Sequence, residues 1–121
     1  MADRHRSVDH LLPLTQTFLH LLLALADGPR HGYALMQDVR TLSGDKVRLW
    51  PARLYGALRE MEKLGFIAET DRRPPEADDD QRRRYFELTP LGRRVLAAEV
   101  ARLEGLIGHA LASRSLRRGQ A

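Results

Sequence analysis

The chain has 121 residues and a mass of 13.8 kDa, enough for one hydrophobic core and too short for two. It has no cysteine, which excludes a disulfide framework, a Cys-liganded zinc and a thiol nucleophile. Twenty Lys and Arg against 16 Asp and Glu leave a net charge of +4, and a basic chain of this size favours an acidic partner, nucleic acid first.

The charge is unevenly spread. Residues 28–68 hold seven basic and four acidic groups, residues 69–87 five and seven, and residues 88–121 six and two. A basic face is therefore expected from the middle of the chain and its C-terminal end. Residues 1–10 are polar and expected to be frayed or loosely helical. The Leu/Ala-rich run that follows could be read as a leader, with Ala24-Leu25-Ala26 as a cleavage-like site. Asp3 and Asp9 argue against that, as do the polar interruptions at Thr15, Gln16, Thr17 and His20. The uninterrupted apolar run is also well short of the ~20 residues a membrane helix needs. The expectation is a buried first helix, a cytoplasmic location and no membrane partner.

That helix is expected from about Leu14 to Ala26, stopped by Asp27-Gly28-Pro29, with Phe18, Leu21, Leu22 and Leu25 inward. A second helix runs from Gly32 to Leu42 with Leu35, Met36, Val39 and Leu42 as its apolar stripe, ended by Ser43-Gly44-Asp45. A third starts at Pro51, a residue suited to a first helical turn, and stops near Leu64 before Gly65. Its buried stripe is Leu54, Ala57, Leu58 and Met61.

The period then changes. Phe66–Thr70 and Arg83–Leu88 read as two strands of a hairpin with a long polar tip carrying Pro74-Pro75 and Asp78-Asp79-Asp80. Phe86 and Leu88 are expected inward, Tyr85 and Glu87 on the other face. A last helix opens at Thr89-Pro90 and runs to about Ser113, before a basic tail at Arg114–Arg118. Leu96, Val100, Leu103, Ile107 and Ala110 recur along it at helical spacing, with Val95, Leu106 and Leu111 widening the stripe. A small domain cannot cover a helix of some six turns, so Leu96, Val100, Leu103, Ile107 and Leu111 are expected to form a homodimer seam.

The fold class is therefore mainly α with a small β-hairpin: a winged helix-turn-helix domain over residues 1–88, a dimerisation helix over 89–113 and a tail over 114–121. On the third helix, the face opposite the core stripe carries Ala52, Gly56, Arg59 and Lys63, flanked by Tyr55 and Arg53. Such a face fits the DNA major groove, where Arg pairs with guanine and phosphates line the walls. An ordinary solvated face fits the same residues. Arg72, Arg73, Arg82, Arg83 and Arg84 at the hairpin base could meet phosphates or be neutralised by the nearby acids. The five histidines show no metal-ligand spacing, and no catalytic motif appears. The expectation is a non-enzyme without metal or cofactor.

Three blocks in order carry a family resemblance. His31-Gly32-Tyr33-Ala34-Leu35 resembles the Gly-Tyr motif of PadR-type transcriptional regulators. Pro51-Ala52-Arg53-Leu54-Tyr55-Gly56-Ala57-Leu58, followed by Met61-Glu62-Lys63-Leu64-Gly65-Phe66-Ile67, resembles that family's recognition-helix block. Arg84-Tyr85-Phe86-Glu87-Leu88-Thr89-Pro90-Leu91-Gly92-Arg93 resembles its second wing strand and last-helix entry. The resemblance spans roughly Leu14 to Ala110. It implies a homodimeric regulator that binds double-stranded DNA, usually a repressor on a palindromic operator, released in some members by a small-molecule effector. It also implies that Tyr33 lies near DNA phosphates, that Tyr55 is the recognition-helix tyrosine, and that the single C-terminal helix is that of the short branch.

Two departures stand out. Ala52-Arg53 replaces the family's usual small pair, and the last helix lacks the tryptophan with which some relatives sandwich flat ligands. Trp50, the one tryptophan, precedes the recognition helix and is read as a packing residue. The DNA-binding set expected is Tyr33, Arg53, Tyr55, Arg59, Lys63, Arg82, Arg83 and Arg84. The reading from another class is a winged-helix module that binds protein, which the acidic tip and small net charge support.

Overall fold

The computed structural model describes residues 7–75 and 83–119. A 3-10 turn at Asp9–Leu11 is followed by α1 (Gln16–Ala24), β1 (Arg30–His31), α2 (Gly32–Leu42), α3 (Pro51–Lys63), β2 (Ile67–Thr70), β3 (Tyr85–Leu88), α4 (Pro90–Ala112) and α5 (Arg114–Gly119). This is a winged helix: three helices, a small antiparallel sheet and a long final helix.

Each helix begins where its capping chemistry dictates. Thr15 caps α1 by accepting the Phe18 N–H at 3.1 Å, so the helix starts two residues later than the apolar run. His31 caps α2 through Nδ1, which accepts the Ala34 N–H at 3.2 Å. Pro51 opens α3 at a position whose N–H has no helical partner to lose. At its end Gly65 adopts φ 83°, its N–H reaches Glu62 O at 3.0 Å, and the Phe66 N–H reaches Met61 O at 2.9 Å. That paired closure satisfies carbonyls the helix leaves open, and a left-handed residue is required for it.

Between α2 and α3 the chain reverses through Gly44 and Asp45, at φ 59° and 66°. Ser43 Oγ holds the reversal by accepting the Val47 N–H at 2.9 Å. The core fills the space between α1, α2, α3, the sheet and the first turns of α4, with Leu21, Leu35, Leu54, Leu58, Met61, Phe86 and Val95 fully buried.

Several expectations are corrected. The sheet has three strands in the order β1-β3-β2, all antiparallel, because Arg30 and His31 pair with Phe86 and Tyr85. Tyr85 is buried rather than outward: the His31 ring stands edge-on to it at 5.3 Å and the Arg73 guanidinium lies over it at 4.1 Å. Leu42 falls past the end of the core and is exposed. Val8, at the N-cap of the 3-10 turn, is buried in the core rather than frayed, and Arg114–Gly119 is helical rather than a plain tail.

Glu99 is a charged residue in the core, 1% exposed. Its carboxylate accepts the Leu14 N–H at 2.9 Å and two bonds from Arg102 at 2.6 and 3.1 Å. It thereby ties the segment before α1 to the middle of α4. The bonds from Arg102 hold its carboxyl below the usual carboxylate range, opposed by burial and assisted by the Leu14 N–H.

A lowered folded-state pKa gives stability that is complete above the ordinary carboxylate pKa and fades as pH falls through the lowered value. Glu99→Gln is therefore expected to lower the urea midpoint at neutral pH, with the two profiles converging in acid. A constant gap down to the acid limit would refute the ionic role. In a second test, Gly92→Ala places a methyl against the Phe66 carbonyl oxygen and should cost ~1–3 kcal/mol in urea unfolding.

Candidate nucleic-acid interface

Helix α3 is fastened from both sides. Leu54, Leu58 and Met61 are buried on its inner face, and Leu49 anchors the chain just before it. The outer face carries Ala52, Arg53, Arg59 and Lys63, all exposed, with Gly56 among them. Among the described residues, Arg53, Arg59 and Lys63 make no ion pair or hydrogen bond through their side chains. Space is open above Gly56, where an added Cβ would meet nothing within 4 Å. The face is small in the middle and net cationic, three cations against the exposed Glu60.

Tyr55 sits at the border of this face, 37% exposed. Its ring and hydroxyl press on Gly32, where any side chain would collide with them. The Gly-Tyr pair thus has a packing reason: Gly32 makes room for Tyr55 and so fixes the angle at which the start of α2 meets α3. Tyr33, next in the chain, is 58% exposed.

The wing base behaves differently. Arg84 donates to Glu69 at 3.1 and 2.9 Å and lies 5.4 Å from the Phe86 ring centre. The hydrogen bonds and charge of Glu69 hold its guanidinium above the usual range. Arg72 pairs with Glu87 at 3.1 Å, and Arg83 approaches His31 Nε2 at 2.6 Å. Arg82 and the Asp78–Asp80 tip lie outside the described residues. Of the expected DNA-binding set, the structure gathers Arg53, Arg59 and Lys63 along α3, with Tyr55 at its border and Tyr33 on the adjoining α2. Arg83 and Arg84 are engaged within the wing.

Two residues escaped the sequence reading. Trp50 is not packed: at 70% exposure it is the most exposed large apolar side chain among those described. Extended backbone at the α3 N-cap projects it beyond the helix end. Glu99 was the other, and its signal was legible: a carboxylate on the stripe of Val95 and Leu96, one turn before Arg102.

In α4, the buried residues Gly92, Val95, Leu96 and Glu99 all lie in the first half. Leu96 belongs to the core of the chain itself, which corrects the expected seam at its N-terminal end. Beyond it, Val100, Leu106, Ile107 and Leu111 are 37–57% exposed, and Leu103 is half-buried. Leu116 of α5 continues the apolar surface. No helix among the described residues is long and apolar enough to cross a membrane.

Residues 21–98 match the model of the transcriptional regulator PadR-like family. The chain is 33% identical over 97 residues to the transcriptional regulator Rv3488 of Mycobacterium tuberculosis, covering 80% of this chain and 84% of that one. It is 43% identical over 90 residues to an uncharacterized 37.1 kDa protein in a transposon of Streptomyces fradiae, covering 72% of this chain and 24% of that longer protein. Among solved structures, RosR of H. salinarum superposes with a TM-score of 0.59 at 23% identity, over 87% of this chain and 84% of that chain.

Proposed function

The chain belongs to the PadR-like family of transcriptional regulators, and on that premise we propose that it binds a palindromic operator as a homodimer and represses transcription. The observation that carries the DNA reading is the outer face of α3, cationic, unpaired and small at its centre. An α-helix fits the major groove, and Ala52 and Gly56 let its backbone come close to the base edges. Arg59 and Arg53 are assigned to bases. Lys63, Tyr33 and Tyr55 are assigned to phosphates, which fix register without reading sequence. Arg82, Arg83 and Arg84 are assigned a secondary role at phosphates, because two of them are already engaged.

The exposed apolar half of α4 supports pairing of two copies. Two-fold symmetry in the protein sets two-fold symmetry in the site, with half-sites one or two helical turns apart. Release by a small-molecule effector would act most directly at the open hollow beside α4 lined by Asp9, Leu12, Pro13, Ala98, Ala101 and Arg102, since Arg102 there is the partner of Glu99. A protein-binding module is the second reading, favoured by the neutralised wing base. Salt separates the two, because DNA affinity must fall steeply as counterion release loses its advantage.

Three outcomes test the proposal. Arg59→Ala should lose ~1–3 kcal/mol on a duplex selected from a random library and relax preference at one position, measured by fluorescence anisotropy. Equal losses on selected and random DNA would reassign Arg59 to phosphate. Gly56→Ala should gain up to about 1 kcal/mol in urea unfolding by helix propensity, yet bind that duplex more weakly. Ile107→Glu combined with Leu111→Glu should give a folded monomer in light scattering; a persistent dimer would place the interface elsewhere.

A further inference from the structure

We infer that Trp50 is a specificity contact of the DNA complex, its indole ring seated on the 5-methyl group of a thymine at the edge of each half-site. The inference rests on the DNA-binding reading above and deepens it. Three observations carry it. The ring is 70% exposed, although Leu49 immediately before it is buried, and the backbone is set by Pro51 after it. The side chain is therefore displayed from a fixed point rather than loosely hung.

The surroundings indicate the kind of partner. From Lys46 to Arg59 the chain carries four cations, Lys46, Arg48, Arg53 and Arg59, and no anion. The nearest acid before them, Asp45, accepts from Arg40 at 3.1 Å and lies 3.9 Å from Arg48. A large apolar ring in a cationic field suits a partner that offers apolar area inside an anionic surface. The major groove does so at thymine, whose methyl group is its one apolar projection. The position fits as well, since residues at the N-terminal end of a recognition helix are those that reach base edges.

The test uses duplexes selected from a random-core library, in parallel, by the wild-type chain and by Trp50→Ala. The exposed site makes the variant's folding easy to confirm by circular dichroism, and Trp50→Phe, which keeps an apolar ring, serves as the second variant. Wild-type sites are expected to hold a symmetry-related thymine pair that is absent from Trp50→Ala sites and kept by Trp50→Phe. Replacing those thymines with uracil should weaken wild-type binding about fourfold per methyl group and leave Trp50→Ala unaffected.

Because Trp50 is the sole tryptophan, its emission reports the contact directly and should shift to the blue on the selected duplex. Enrichment and tight anisotropy with no thymine difference between wild type and Trp50→Ala would overturn the inference and leave DNA binding intact. So would an emission change that is indifferent to uracil. Failure of both proteins to enrich any duplex would overturn the DNA reading itself, and this inference with it.

Discussion

The relative placement of α3 and α4 depends on one joint, where Thr89 meets the turn that ends α3. The Thr89 hydroxyl accepts the Gly92 N–H at 3.0 Å and donates to the Gly65 carbonyl, while the Thr89 N–H reaches the Phe66 carbonyl at 3.0 Å. One side chain thus caps α4 and binds the turn that closes α3. Gly92 brings the first turn of α4 so near the Phe66 carbonyl that any side chain there would force the two apart. The direction of α4 is consequently fixed relative to α3. In a dimer paired through α4, the separation and tilt of two recognition helices would follow from this joint rather than from the flexibility of a linker.

The placement of charge follows a similar economy. Acids and bases are matched wherever they serve the scaffold: Arg30 with Asp38, Arg72 with Glu87, Arg84 with Glu69 and Arg102 with Glu99. Exposed pairs of this kind contribute little stability, but each cancels a cation's reach toward a distant anion. The outer face of α3 is left unmatched. A net charge of only +4 is therefore compatible with a net cationic outer face on α3, because most of the ion pairing occurs elsewhere. Glu99 is the buried exception, holding the N-terminal segment against α4 where an apolar residue could fill space but could not accept the Leu14 N–H.

What was legible in the sequence was whatever a single residue enforces locally. Thr89-Pro90, Pro51 and Gly65 set helix ends through cap and φ chemistry, and α2 runs over the expected Gly32–Leu42. Illegible features were those created by a distant neighbour. A two-residue strand has no period to detect, so β1 emerges only through its pairing with β3, and Tyr85 becomes buried because β1 and Arg73 arrive over it. Leu96 and Val100 share one stripe, yet the core ends between them, and no spacing rule says where. Trp50 misled because a tryptophan is ordinarily largely buried, and only the cap geometry leaves its ring mostly in solvent.

The two unpartnered surfaces differ in kind, and the difference constrains their occupants. Gly56 sits in mid-helix over open space, where alanine would favour the helix by about 1 kcal/mol; the protomer gains no packing from the glycine. The outer half of α4 exposes Leu106, Ile107 and Leu111, whose burial would add stability that the chain alone does not collect. A single partner cannot suit both surfaces. The first suits a close, anionic, groove-shaped partner, and the second an apolar one, the role proposed above for another copy of α4. If self-pairing through α4 is the arrangement, as proposed above, one end of the chain would meet a second copy while the other presents α3 to DNA.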